Sequence, residues 1–128
     1  MREIYLKGFG ICVKESQPHS LMTSYNLLNG VHTSEHRGLI EDVLRSEYGF
    51  RGIVMTDWII AMAGNKKSIH RGAVAAEIAK AGGDLVMPGC KGDYDSILGA
   101  LQKGELSRKQ LEINGTRVYR MAQKLTAK

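Results

Sequence analysis

The feature that most constrains this chain is a spacing. Three short apolar runs, Ser20-Leu21-Met22-Thr23-Ser24-Tyr25, Ile53-Val54-Met55-Thr56 and Leu85-Val86-Met87, begin near positions 20, 53 and 84. An interval of roughly thirty residues is the length of one β-α unit. None of the runs alternates cleanly between apolar and polar residues, and strands of that kind read as members of a parallel sheet covered by helices. Right-handed crossovers then bring all three strand C-termini to one edge. That edge carries Tyr25, Asp57 and Pro88-Gly89, and in α/β folds it is where ligands bind.

The segments between the runs read as helices. Residues 2–15 set Ile4, Tyr5, Phe9, Cys12 and Val13 at helical spacing, and Pro18 ends that amphipathic stretch. Asn29-Gly30 is a turn signal, and Ser34 is expected to cap a helix with Leu39, Ile40, Val43 and Leu44 on one stripe, stopped by Gly49. A loop through Gly64 leads to a second expected helix over residues 68–81, capped by Ser68 and closed by Gly82-Gly83. A short helix with Ile97, Leu98 and Leu101 precedes Gly104. Ser107-Arg108-Lys109-Gln110 is then a capping box, opening a last helix with Leu111, Val118, Ala122 and Leu125 facing inward.

The expected order is α-β-α-β-α-β-α-α, an α/β fold of parallel units. It suits a doubly wound sheet or a piece of a (β/α)8 TIM barrel. A whole barrel takes about 250 residues, so the barrel option makes residues 1–128 one partial domain holding about three strands and their helices.

Composition excludes several classes. With 18 Lys+Arg against 13 Asp+Glu the net charge is +5, a mild bias spread along the chain. Arg108, Lys109, Arg117, Arg120 and Lys124 lie mostly off the apolar stripe of the last helix, and no interleaved aromatics support base stacking. No nucleic-acid partner is expected. No run of ~18 apolar residues occurs, so no membrane span is expected, and Met1-Arg2-Glu3-Ile4 lacks the pattern of a signal peptide. Cys12 and Cys90 stand 78 positions apart with no C-x-x-C, which fits a reducing compartment and a cytoplasmic location. Asn114-Gly115-Thr116 is a formal glycosylation acceptor, but it falls inside an expected helix.

Asp57 is the most informative single residue. It follows four apolar or β-branched residues directly, and an ionised carboxylate there must be solvated, paired or used in chemistry. The plain alternatives are a helix N-cap or a structural ion pair. Trp58, the only tryptophan, suits the apolar face of a sugar, though an indole is as readily a core residue. Tyr25 ends the neighbouring run one unit earlier, where its phenol either hydrogen-bonds the Asp57 carboxylate or meets a backbone partner in the core.

Other patterns carry less. His32-Thr33-Ser34-Glu35-His36 spells H-x-x-E-H, but that zinc motif needs both histidines on one face of an established helix. Here His32 precedes the expected helix, so no metal is expected, and Glu35 reads as an acid favoured at a helix N-terminus. Gly89-Cys90-Lys91-Gly92 stands where some barrels bind phosphate on backbone N–H groups, although a βα loop needs glycine for geometry anyway. Gly8-Phe9-Gly10 lacks the third glycine of a dinucleotide fingerprint.

Three longer segments carry a resemblance. Met22-Thr23-Ser24-Tyr25-Asn26-Leu27-Leu28-Asn29-Gly30, Gly49-Phe50-Arg51-Gly52-Ile53-Val54-Met55-Thr56-Asp57-Trp58 and Ala81-Gly82-Gly83-Asp84-Leu85-Val86-Met87-Pro88-Gly89 resemble glycoside hydrolase family 3 in its β-glucosidase branch. The opening Arg2-Glu3-Ile4-Tyr5-Leu6-Lys7-Gly8-Phe9 is similar to the helix before the S-Y-N strand of that family, so essentially the whole chain is covered. The resemblance implies the C-terminal half of a catalytic TIM barrel. It makes Asp57 the catalytic nucleophile, Trp58 a wall of the sugar cleft, Tyr25 a hydrogen-bonding neighbour of the nucleophile and Met22 a lining residue of the sugar site. A retaining glycosidase also needs a second carboxyl about 5–5.5 Å away as acid/base. In that family it belongs to a following domain, and an upstream barrel half supplies further sugar-holding groups.

The resemblance thus implies a β-glucoside or oligosaccharide substrate, no cofactor, and a chain that is inactive alone. Two readings stand beside it. One is a non-catalytic α/β half-barrel that assembles with another chain or with itself through exposed sheet edges. The other is a barrel fragment that binds a phosphate ligand at residues 89–92.

Overall fold

The computed structural model describes residues 1–59 and 69–127. A π-helical turn, Arg2–Leu6, runs into helix α1, Lys7–Ser16. Gln17 in the left-handed region and Pro18 stop it as expected. Strand β1, Ser20–Met22, follows. Strands β2, Leu27–Leu28, and β3, Val31–His32, then pair as an antiparallel hairpin. Its turn is Asn29-Gly30 with φ of +51° and +83°, the two left-handed residues a type I′ turn requires. Beyond it come a 3-10 turn, Thr33–Glu35, a π-wound helix, Gly38–Glu47, and the six-residue strand β4, Ile53–Trp58. The chain continues through α2, Ala75–Ala81, β5, Leu85–Met87, α3, Lys91–Gln102, and α4, Arg108–Thr126.

The three expected strands form one parallel sheet in the order β1-β4-β5. Ser20, Leu21 and Met22 pair with Ile53, Val54 and Met55, while Met55 pairs with Leu85 and Trp58 with Met87. Chain neighbours are therefore sheet neighbours, and all three strand C-termini share one rim.

One face of the sheet is packed. Val54 belongs to a core with Val13, Ile40, Leu44, Phe50 and Ala81, and Leu21 and Tyr48 lie against it. Val86 covers Ala73 and Ile78, while Ala76, Ala79, Ala100 and Leu106 join α2 to α3 and α4. The alternation of side chains along a strand puts Met22, Met55 and Leu85 in one row on the other face, with Met22 53% exposed. Among the described residues no helix covers that face, so the sheet is clothed on one side rather than both.

The rim opposite the strand C-termini is latched by charge. The Asp84 carboxylate, just before β5, accepts from the Val54 N–H at 2.8 Å and pairs with Arg45 at 2.6 Å and Arg117 at 3.3 Å. Arg117 also pairs with Glu41 at 3.0 Å. Burial pushes the Asp84 carboxyl above the usual carboxylate range, against the Val54 N–H and the two guanidiniums. The group ties the π-wound helix, β4, the start of β5 and α4 together.

Several expectations need correction. The second helix begins at Ala75, because residues 69–74 are non-helical, and the expected Gly64 loop and Ser68 cap lie outside the described residues. Ser34 is buried inside the 3-10 turn and does not cap the next helix. His36 does so, its Nδ1 accepting from the Leu39 N–H at 3.2 Å. Ser107 does accept from the Gln110 N–H, but the Gln110 side chain turns to Asn114 instead of completing the box. In α4 the inward row fails beyond the middle: Ala122 and Leu125 are exposed, and the buried residue is Asn114, whose amide donates to the Ala79 carbonyl at 2.9 Å. That buried amide cannot serve as a glycan acceptor. The amphipathic residues of the first helix also stay largely bare, with Ile4, Tyr5 and Phe9 exposed.

Candidate active site

The parallel register carries Asp57 and Trp58 to the C-terminal rim on β4, and the loop after β1 brings Tyr25 beside them. Asp57 is half-buried and lies one same-face step beyond Met55, diagonal to Met22 across the strand pair. Its Oδ1 accepts from the Trp58 N–H at 2.7 Å. The Tyr25 hydroxyl donates to the Trp58 carbonyl at 2.5 Å. The phenol is held above the ordinary tyrosine range, first by loss of hydration at this rim and then by the Asp57 carboxylate beside it. Trp58 is 49% exposed, an indole standing in the open next to a carboxylate.

Of the two readings left open for Tyr25, the structure combines both: a backbone carbonyl takes the proton, and the carboxylate is its electrostatic neighbour. Met22 and Asp57 share one face of the sheet, and Tyr25 and Trp58 meet beside Asp57 at its C-terminal rim. Chemically, the cluster offers a half-buried carboxylate next to an exposed indole and a phenol. Ile59, directly after Trp58, is held at φ +54°, a left-handed conformation that costs a β-branched residue about 1–3 kcal/mol.

The histidine motif does something the sequence did not disclose. His32 is buried, with Nε2 2.8 Å from the Arg71 carbonyl and Nδ1 3.4 Å from the Tyr25 carbonyl. Glu35 takes both guanidinium nitrogens of Arg71 at 2.7 and 2.8 Å and the Val74 N–H at 2.6 Å. Val74 precedes α2, so Glu35 is indeed an acid at a helix N-terminus, although of a different helix from the one expected. Among the described residues no group of three or more His, Cys, Asp or Glu side chains is placed to hold a metal ion. In the loop after β5, the Cys90 N–H bonds the Asp93 carboxylate at 3.0 Å and Cys90 Sγ accepts from the Asp93 N–H. The Asp93 carboxylate thus already takes one backbone N–H of this loop.

A parallel sheet in sequential strand order, clothed on one face, with a carboxylate, a phenol and an indole at its C-terminal rim, is the arrangement of a segment of a β/α barrel. The profile of the glycosyl hydrolase family 3 N terminal domain matches residues 1–121, and the chain belongs to that family. Beta-glucosidase B of Emericella nidulans is 37% identical over 127 residues, covering 98% of this chain and 14% of that protein. The exo-alpha-(1->6)-L-arabinopyranosidase of Bifidobacterium breve is 41% identical over 112 residues, covering 88% of this chain and 13% of that protein. Beta-glucosidase 3B from Thermotoga neapolitana, solved with glycerol, superposes with a TM-score of 0.82 at 38% identity, covering 95% of this chain and 17% of that one. The chain thus spans about one-seventh of the length of the curated relatives it matches. Its parallel units are part of a TIM barrel, not of a doubly wound sheet.

Proposed function

We propose that this chain is the nucleophile-bearing part of a retaining β-glucosidase that releases terminal β-D-glucosyl residues. The observation that carries the reading is the Asp57 carboxylate at the sheet's C-terminal rim, flanked by the Tyr25 phenol and the exposed Trp58 indole. In the mechanism, Asp57 attacks the anomeric carbon through an oxocarbenium-like transition state to give a glycosyl-enzyme ester, which water then cleaves. The bond to the leaving oxygen breaks as a second carboxyl, supplied outside this chain, protonates it. Trp58 stacks on the apolar face of the sugar, Met22 lines the cleft floor, and Tyr25 braces the Trp58 backbone and so orients the neighbouring nucleophile. No cofactor enters the scheme. The exposed thiols of Cys12 and Cys90 support a reducing, cytoplasmic setting.

The test is Asp57→Gly in the intact enzyme that carries this segment, assayed on an aryl β-glucoside. Turnover falls by on the order of 10⁴-fold while the far-UV circular dichroism is unchanged; a wild-type rate overturns the assignment. The 128-residue chain assayed by itself is expected to give no measurable turnover, since the proposed scheme takes its acid/base from outside this chain and general acid catalysis alone is worth about 10²–10⁴-fold.

The bare sheet face through Met22, Met55 and Leu85 favours a second reading, a half-barrel that associates with a copy of itself or with another chain. Sedimentation at several concentrations checks it: a monomer throughout speaks against self-association.

A further inference from the structure

The chain that leaves the rim at Trp58 is fastened, at Arg71, to the hairpin that follows Tyr25. Two side chains make the fastening. The Glu35 carboxylate, 6% exposed, grips the Arg71 guanidinium with both oxygens and takes the Val74 N–H as well. The His32 ring, 5% exposed, faces the Arg71 carbonyl with one nitrogen and the Tyr25 carbonyl with the other. The Tyr25 loop is closed on its other side by the Thr33 hydroxyl, which donates to the Ser24 carbonyl at 2.6 Å, and by the Thr33 N–H, which donates to the Asn26 carbonyl at 3.2 Å. His32 thus touches both the Tyr25 backbone and the segment returning from the Asp57 strand.

We propose that His32 is a positioning residue that sets the Tyr25 phenol against Asp57 and Trp58, with Glu35 and Arg71 anchoring its far side. An imidazole is suited to this work because it is rigid and planar: its single N–H serves the Arg71 carbonyl at the shorter distance, 2.8 Å, while the Nδ1 edge packs against the Tyr25 carbonyl at 3.4 Å. Loss of the ring removes this wedge between the two backbone segments and frees the Tyr25 loop to swing. The inference rests on the reading of Asp57, Tyr25 and Trp58 as one site, and it adds the element that holds the site's geometry.

The experiment reads Tyr25 directly and needs no sugar. Alkaline absorbance titration of the 128-residue chain, with Tyr25→Phe subtracted, isolates one phenol. In the parent that phenol ionises above the ordinary tyrosine range. In His32→Ala it moves back down towards that range, and acrylamide quenching of Trp58 rises as the phenol leaves its carbonyl, while far-UV circular dichroism is unchanged. Arg71→Ala, which removes an exposed side chain and leaves the backbone in place, serves where His32→Ala fails to fold and shifts the phenol in the same direction. An unmoved Tyr25 titration in a folded His32→Ala or Arg71→Ala chain overturns the proposal. These readouts do not involve turnover, so failure of the glycosidase reading shows in the Asp57→Gly assay and failure of the positioning role shows here.

Discussion

Asp57 was legible because an acid directly after four apolar or β-branched residues has few places to go, and the strand period put it on the rim. Tyr25 and Trp58 followed from the same register. His32 was not legible in this role: its partners lie 7 and 39 positions away, and its letters matched a zinc motif whose geometry the hairpin forbids. Asp84 was missed for the same reason, since a carboxylate after two glycines shows nothing of the two arginines that meet it. At this scale the Tyr25 phenol gives a pH signature. Its folded-state pKa is raised above the ordinary value of 10.0, so its contribution to stability is fully present below that pH and is lost as pH rises through the folded value. Urea unfolding at successive alkaline pH values should show the parent losing stability across that interval, and Tyr25→Phe lacking that component.

At the scale of elements, strands were easier to read than helix starts. A strand declares itself by a short apolar run, whereas a helix start depends on which polar side chain wins a competition for free N–H groups. Ser34 lost that competition to His36 because the Asn29-Gly30 turn is a tight hairpin, and its return strand buries the serine in a 3-10 turn. The end of α2 was read correctly, and two glycines near it make opposite predictions. Gly82 sits at φ +97°, where an added Cβ would run into the Glu41 carboxylate. Gly82→Ala should cost about 2 kcal/mol or more from the left-handed conformation and the disturbed ion pair. Gly99, inside α3 with nothing within 4 Å of an added Cβ, should gain about 0.5–1 kcal/mol as Gly99→Ala. Chemical denaturation of both variants checks the contrast, and equal effects would show that neither local environment governs.

For the whole molecule, the parallel sheet and its strand order were written in the thirty-residue spacing, but the cover of its second face was not. The runs are apolar on both sides, which the sequence reads as helices above and below; a barrel satisfies the same pattern with an interior shared among all its strands. This chain contributes three strands to that interior. What ties β4 to β5 at the far rim is Asp84, whose side chain is fully buried between Arg45 and Arg117. Asp84→Ala takes one acceptor from each of two guanidiniums, which keep Glu41 and backbone carbonyls, and leaves the Val54 N–H without its side-chain acceptor; it should cost about 1–3 kcal/mol, read as a fall in the urea midpoint. A loss below about 1 kcal/mol would mean that the apolar core alone fixes the register.

The Asp84 latch and the Asp57 cluster stand at opposite ends of the same strands. A mutational library confined to the loops around Asp57 therefore never touches the ionic knot that keeps the scaffold upright, and side chains can be varied there without unlacing the protein. Conversely, thermal hardening through Glu41, Arg45, Asp84 and Arg117 leaves the Asp57 rim chemically untouched.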